Sequence, residues 1–398
     1  MPDSNSIAIV GGGPSGALAG ALLAAAGRTV HLFDEKLAWE KPCGGGVTFK
    51  ALEAFPFLAQ AYTQSHAVEH CELIAPSGAR VRFRLQHPVA IFSRFALNRL
   101  LLDRARSAGA RIHQERVTGI AGAPNDWQLT TSHGEYRASF LVLAAGARNP
   151  FRAQFAAPMS PDDLMVTAGY FIPVRNSLMQ IQFLKDLSGY IWVFPRLDHV
   201  SAGIACKLGE ISTRELRALL EHWLVTSNFS LDGATFYSHI LPCLRTQSMD
   251  ALAVSGNGWA MIGDSAGLVD PITGEGLYYA LCSAKLCAQA WLAHRPQEYK
   301  ARLEEEILPE LRLAARVSRR FYKGRVFNES VPELMVRLTA QSHKFGDLMS
   351  DLFAGIQGYH DLKARLYRAL PGLMAEGLAT TLFRSWGSGD LTPTPIVE

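Results

Sequence analysis

The sequence predicts an α/β fold. A Rossmann-like dinucleotide domain is interrupted by an antiparallel β-sheet domain and followed by a helical C-terminal region. Three observations predict it. A strand–turn–helix–strand pattern fills residues 7–35, and a glycine-rich segment of the same texture returns at 259–276. Between them, over about 164–208, short alternating strands take over, and beyond 276 the pattern is mostly helical.

Composition sets the class. The 398 residues are 48% hydrophobic with a net charge of +3, which fits a globular chain and is too weak to argue for nucleic acid. The six cysteines are scattered, without a C-x-x-C pair, so neither a metal site nor a disulfide framework is expected. A reducing, cytoplasmic location is the default. The apolar stretch 7–26 has no basic residue before it, and its glycines suit a turn better than a signal peptide. The apolar stretch 277–293 carries Lys285 and Gln289, which argues against a membrane span.

Each element follows from local pattern. Residues 7–10 are a short apolar run, hence a buried strand. Residues 16–26 are rich in Ala and Leu and stop at Gly27, hence a helix. Residues 29–33 read as a second strand ending at Asp34-Glu35. Residues 39–46 are loop, and 70–74 with 79–85 flank Pro76-Ser77-Gly78 as a hairpin. Residues 95–107 form an amphipathic helix, and 110–114 a strand. Residues 127–131 and 136–144 read as a strand pair running into Ala145-Gly146. In the middle, 180–184, 189–194 and 200–207 are the clearest strands, followed by a helix over 213–226 with Ser212 as its cap. After a strand at 259–263, helices are expected over 276–293, 296–325 and 331–343, then a less regular tail. The domains divide as 1–65, 90–160 and 250–295 for the dinucleotide, 66–89 and 161–249 for substrate, and 296–398 for the helical region.

The first motif is Gly11-Gly12-Gly13-Pro14-Ser15-Gly16, between a strand and a helix. Gly11 permits the tight turn, Gly13 lets backbone approach a phosphate, and Gly16 lets helix pack on strand. Ser15 lies in the same turn. Asp34 ends the second strand, at the spacing of an acid that binds ribose hydroxyls, with Glu35 the alternative if the register shifts by one. The second motif runs Gly263-Asp264-Ser265-Ala266-Gly267-Leu268-Val269-Asp270-Pro271-Ile272-Thr273-Gly274-Glu275-Gly276. Together the two read as the ends of one long dinucleotide, FAD.

The second motif resembles the flavin signature of the glutathione-reductase-type monooxygenase and reductase superfamily. The resemblance implies that Asp264 accepts a hydrogen bond from the ribityl chain. It implies that Gly276 and Leu277 offer backbone to the flavin ring, at the positive end of a helix. It also assigns Arg94 to FAD and Val117 to the adenine through its backbone. The fold implied is a two-domain FAD-binding fold of the para-hydroxybenzoate-hydroxylase type.

Two further marks narrow the resemblance: Pro42-Cys43-Gly44-Gly45-Gly46, and Tyr190-x-Trp192-x-Phe194-Pro195 followed by Gly203-x-Ala205. Over residues 5–295 the chain resembles the geranylgeranyl reductase family, flavoproteins that saturate isoprenoid double bonds. There the first mark lies on the flavin face and the second in the substrate site. By resemblance, Cys43 is the candidate catalytic residue and, with Gly44 and Gly46, a cofactor neighbour. Tyr190, Trp192, Phe194 and Pro195 are substrate-binding. Period-2 alternation puts the three aromatic rings on one face of a strand, with Ile191 and Val193 on the other. Ala205 departs from the family's final glycine.

The implied reaction passes hydride from reduced flavin to one alkene carbon and a proton to the other. The alternatives are a flavin monooxygenase or halogenase on the same fold, and an electron carrier to a quinone or protein partner. The Asp-Gly pair of many flavin hydroxylases reads Ala145-Gly146 here, so the electron donor is either NAD(P)H or a donor protein or soluble reduced flavin. A hydrophobic small molecule or lipid is the expected substrate. Over 311–327, Arg312, Arg316, Arg319, Arg320, Lys323 and Arg325 occur without one acid. That segment is either a peripheral membrane contact or a solvated face paired with Glu304, Glu305, Glu306 and Glu310.

Overall fold

The computed structural model describes residues 6–326, 328–366 and 396–397. They fall into two compact units. One comprises the described part of Met1–Lys41, Ser93–Met165 and Ile240–Ala315, and the other Pro42–Phe92, Val166–His239 and the described part of Arg316–Glu398.

The first unit is built on parallel pairing. Ser6–Val10 lies between Thr29–Phe33 and Phe140–Leu143, with Arg111–His113 and Trp259–Met261 parallel beyond them. Burial on both faces explains why residues 7–10 and Phe140–Leu143 are unbroken apolar runs. Helices Pro14–Ala25, Arg94–Ser107 and Leu277–Leu292 belong to this unit. Val117–Ala123, Asp126–Thr131 and Glu135–Ala138 form a separate antiparallel meander. This corrects the expectation of one strand over 136–144. The chain leaves the meander at Ser139, whose N–H and hydroxyl both bond the Ser6 carbonyl, and enters the parallel sheet at Phe140.

The second unit is a largely antiparallel sheet. Met179–Phe183 pairs with Gly189–Pro195, which pairs with Val200–Lys207, while the long hairpin Ser65–Ile74 and Arg80–Phe92 continues the sheet. One side packs Ile191, Val193 and Ile204 against Leu216, Leu220 and Leu224 of helix Thr213–Thr226. That helix opens with a capping box in which Ser212 and Glu215 satisfy each other's backbone. The other side packs Val81, Phe83 and Met179 against Tyr322, Val336, Phe345 and Leu348 of later helices.

The helix expected over 296–325 is two helices, Tyr299–Glu306 and Leu308–Lys323. Pro309 supplies no N–H to continue a helix from the preceding turn, and it is tolerated only in the first turn of a new one. The helix expected over 331–343 ends at Gln341, and Ser342 caps a further helix, His343–Ala354. Most of the expected irregular tail lies outside the described residues.

Candidate FAD and substrate sites

The glycine turn lies at the ends of parallel strands, where open α/β sheets place ligands. Gly11 has φ +109°, and a Cβ there would come within 2.3 Å of the Ala144 carbonyl oxygen. A Cβ on Gly16 would lie 1.9 Å from the Gly11 carbonyl oxygen, so helix and strand meet with no room for a side chain. Gly13 differs: nothing lies within 4 Å of the position its Cβ would take. Gly13 also N-caps Pro14–Ala25 without a side-chain cap, and no acidic residue stands in the first turn. That leaves backbone N–H groups and the positive helix end directed at open space, which suits a diphosphate.

Asp34 follows Thr29–Phe33 directly and turns back to this loop. Its carboxylate accepts from the Gly12 N–H at 2.7 Å and from the Lys36 and Leu37 N–H groups at 2.8 Å. The alternative, Glu35, is exposed and only loosely paired with Arg116 at 3.9 Å.

Arg94 is 3% exposed on the first turn of Arg94–Ser107. Its Nη2 donates to Asn98 Oδ1 at 3.3 Å, while its Nε is buried without a hydrogen-bond partner among the described residues. An unmet buried N–H is costly, so its place fits a cofactor acceptor. Glu40 was not foreseen. Its carboxylate accepts from the Ser93 hydroxyl at 2.6 Å and the Arg94 N–H at 2.8 Å, which fixes this helix start. Val117 is buried at the start of the meander, opposite Thr131.

Asp264 sits on a short turn, Gly263–Ala266, that ends at left-handed Gly267. A Cβ on Gly263 would approach Ser15 Oγ to 2.8 Å, and a Cβ on Gly276 would meet Asp264 Oδ1 at 3.4 Å. The glycine turn, Asp264 and Gly276 are therefore neighbours. Asp270 accepts from the Ile272 and Thr273 N–H groups, and the Asp270 N–H donates to the Glu275 carbonyl. These bonds shape the loop into Leu277–Leu292, whose N-cap is Gly276. Lys41, also unforeseen, places its ammonium 3.6 Å from Asp264 Oδ2. Taken together, these residues fit FAD: an open phosphate cradle, a partnerless buried Arg94 Nε, and a carboxylate set beside the glycines.

The second unit gathers both remaining motifs. A Cβ on Gly44 would fall 2.5 Å from the Phe194 ring, and one on Gly46 3.3 Å from it. What these two glycines accommodate is that ring, and any further contact they make is through backbone. The Cys43 carbonyl accepts from Arg196 Nη2 at 2.7 Å and from Ser201 Oγ at 2.9 Å. Ser201 also bonds the buried Tyr237 hydroxyl at 2.9 Å. Burial pushes the Tyr237 hydroxyl up from its ordinary value, so it stays protonated and able to donate. Cys43 itself is half-buried, and its Sγ accepts from the Gly45 N–H at 3.3 Å.

The alternation in Gly189–Pro195 is as expected. Tyr190 and Phe194 pack on the side of Phe83 and Met179, while Ile191 and Val193 pack on the other. Trp192 is buried 6.1 Å from the Tyr190 ring and lies over Gly203. Pro195 ends the strand. Arg196 directly follows this motif and Lys41 directly precedes the cysteine loop, and those adjacencies are the only sequence signals for either.

The basic segment divides. Arg312 pairs with Glu304 and with Asp250, and Lys323 with Glu210 at 2.7 Å. Arg316, Arg319 and Arg320 are exposed and make no ion pair among the described residues. No helix among the described residues is long and apolar enough to cross a membrane.

The chain resembles known proteins in both sequence and structure. Residues 41–283 match the family described as FAD dependent oxidoreductase. The chain is 25% identical over 316 residues to a geranylgeranyl diphosphate reductase of Synechocystis, covering 72% of this chain and 75% of that one. It is 28% identical over 328 residues to a menaquinone reductase of Mycobacterium tuberculosis, covering 73% and 77%. In structure it resembles a geranylgeranyl bacteriochlorophyll reductase-like protein of Thermoplasma acidophilum. The TM-score is 0.74 at 18% identity, covering 91% of this chain and 98% of that one.

Proposed function

The chain belongs to the FAD dependent oxidoreductase family, and from that premise we propose that it reduces carbon–carbon double bonds of an isoprenoid or related lipid. One observation carries this reading. The cysteine loop and the aromatic strand are bound into one structure, through Gly44 and Gly46 on Phe194 and through Arg196 and Ser201 on the Cys43 carbonyl. A polyprenyl chain offers no hydrogen bonds and must be held by shape and burial. The relatives named for geranylgeranyl diphosphate and menaquinone act, by those names, on molecules that carry such chains.

Bound FAD, once reduced, supplies the hydride. The chain's own residues bind and orient. In this reading the turn Gly11, Gly13, Ser15 and Gly16 takes the diphosphate, Asp34 the ribose, Val117 the adenine side, and Asp264 the ribityl chain. Arg94 meets the cofactor through its free Nε, and Gly276 and Leu277 offer backbone N–H groups to the ring. Arg196 and Ser201 hold the peptide of Cys43, while Tyr190, Trp192, Phe194 and Pro195 supply apolar surface.

The reading is tested by incubating dithionite-reduced holoenzyme anaerobically with geranylgeranyl diphosphate and with menaquinone. After air has reoxidised any quinol to quinone, a product still heavier by two hydrogens per reduced double bond is expected, since reduction of the quinone ring alone adds the same mass. Recovery of both lipids unchanged would count against it.

With Ala145 where hydroxylases carry an acid, a protein or soluble reduced flavin is the proposed electron donor. Rapid bleaching of the flavin by NADPH in a stopped-flow instrument would exclude that. The exposed Arg316, Arg319 and Arg320 give a cationic surface for peripheral contact with anionic lipid. Cosedimentation should then favour vesicles containing phosphatidylserine over neutral ones, and equal binding would refute the contact.

A further inference from the structure

We infer that Lys41 is a further FAD-binding residue whose ammonium is directed at the cofactor's diphosphate–ribityl segment. The inference rests on the FAD assignment and concerns a residue that neither glycine motif contains.

Position comes first. The turn after Phe140–Leu143 touches Gly11 on one side, through the Ala144 carbonyl. On the other side it meets Lys41, since a Cβ on Gly146 would lie 3.9 Å from Lys41 Nζ. Ser265 Oγ donates to the Gly146 carbonyl at 3.1 Å, which ties that turn to the Asp264 segment. Ser15, Gly263 and Asp264 are already neighbours. Lys41 therefore stands where the phosphate turn and the ribityl carboxylate converge.

Its donors come second. The Lys41 side chain is only 21% exposed, and its Nζ lies 3.6 Å from Asp264 Oδ2, beyond hydrogen-bond reach. Among the described residues the ammonium makes no hydrogen bond. A lysine carries three donors, and here a solvent-accessible ammonium on a largely packed side chain keeps all three open to a ligand's oxygens.

Charge comes third. A diphosphate laid beside Asp264 brings like charges together. The helix end of Pro14–Ala25 offers only about half an elementary charge. An ammonium beside Asp264 offsets that repulsion for both anions. The backbone is fixed to serve this role, because Glu40 caps Arg94–Ser107 and the Lys41 N–H donates to the Trp39 carbonyl at 2.9 Å.

The test is FAD affinity of the apoprotein, read by quenching of flavin fluorescence, for wild type, K41M and K41R. K41M should bind FAD roughly 10- to 100-fold more weakly at low salt, the worth of a charge-assisted bond. The loss should narrow at high salt as screening shortens the range of the charge. K41R should stay within a few-fold of wild type. Wild-type affinity in K41M would overturn the inference. A loss in K41R as large as in K41M would overturn it too, because packing and not charge would then be the cause. If wild-type apoprotein took up no FAD, the FAD assignment itself would fail and Lys41 with it. Matching apoprotein melting temperatures for wild type and K41M exclude misfolding as the source of a loss.

Discussion

Arg196 Nη2 donates a 2.7 Å hydrogen bond to the carbonyl oxygen of Cys43, a residue 153 positions earlier in the chain. With Ser201 Oγ on the same oxygen, the peptide after Cys43 is held from two directions. Arg196 is 1% exposed, so its removal cannot be made good by water at little cost. R196M should destabilise the protein by about 1–3 kcal/mol. It should also speed alkylation of the Cys43 thiol, followed by mass spectrometry in a C282S background because Cys282 is the other half-buried cysteine. Unchanged alkylation would mean that Arg196 does not position the loop.

Phe194 fills the space that side chains at Gly44 and Gly46 would need. G44A forces a methyl group to within 2.5 Å of that ring and should cost roughly 1–3 kcal/mol as overpacking. F194A removes the obstacle, so G44A should be nearly neutral in the F194A background. Urea melts of the two single variants and the double variant measure the coupling. Strict additivity would show that the loop and strand are not in contact.

Asp264 should matter to FAD retention more than to folding, since its partner Lys41 is a partly exposed ion pair of small worth to stability. D264A should purify with little flavin and bind added FAD roughly tenfold more weakly, the worth of a hydrogen bond to a charged group. Full flavin content in D264A would remove this residue from the cofactor site.

The first unit should lose stability in mild acid. Burial, more than repulsion from His113 and Arg111, holds His31 below its ordinary 6.5. Burial also lowers His113, with Glu115 pulling the other way and Arg111 adding to the fall. The His31 and His113 rings stack 5.2 Å apart, with ring nitrogens 3.0 Å from each other. Because the unfolded chain takes up these protons first, stability is full above 6.5 and falls as pH drops through the folded values. Melting temperature should therefore fall from about pH 7.5 to about pH 5.5, and H31N should flatten that slope. An equal slope in H31N would assign the acid sensitivity elsewhere.

Elements set by local chemistry were legible in the sequence. Thr29–Phe33, Val200–Lys207 and the Ser212-capped Thr213–Thr226 coincide with their expected ranges, because alternation, turn residues and caps act over a few positions. The break at Ser139 was hidden, since no glycine, proline or asparagine marks it and the partner that draws the chain away is Ser6. The interruption before Pro309 was visible in principle but masked by a continuous helical composition. In the candidate site, glycines advertise themselves through conformation. Lys41, Glu40, Arg196 and Ser201 act through partners far along the chain, and no local pattern separates them from ordinary surface or core residues.

The most direct test of the central claim is flavin reoxidation in a stopped-flow instrument after anaerobic reduction of the holoenzyme. Mixing with an unsaturated polyprenyl lipid should restore the oxidised flavin spectrum with matching formation of saturated product, while the fully saturated lipid should leave the flavin reduced. Reoxidation that requires oxygen and ignores the unsaturated lipid would contradict the account and favour a flavin monooxygenase.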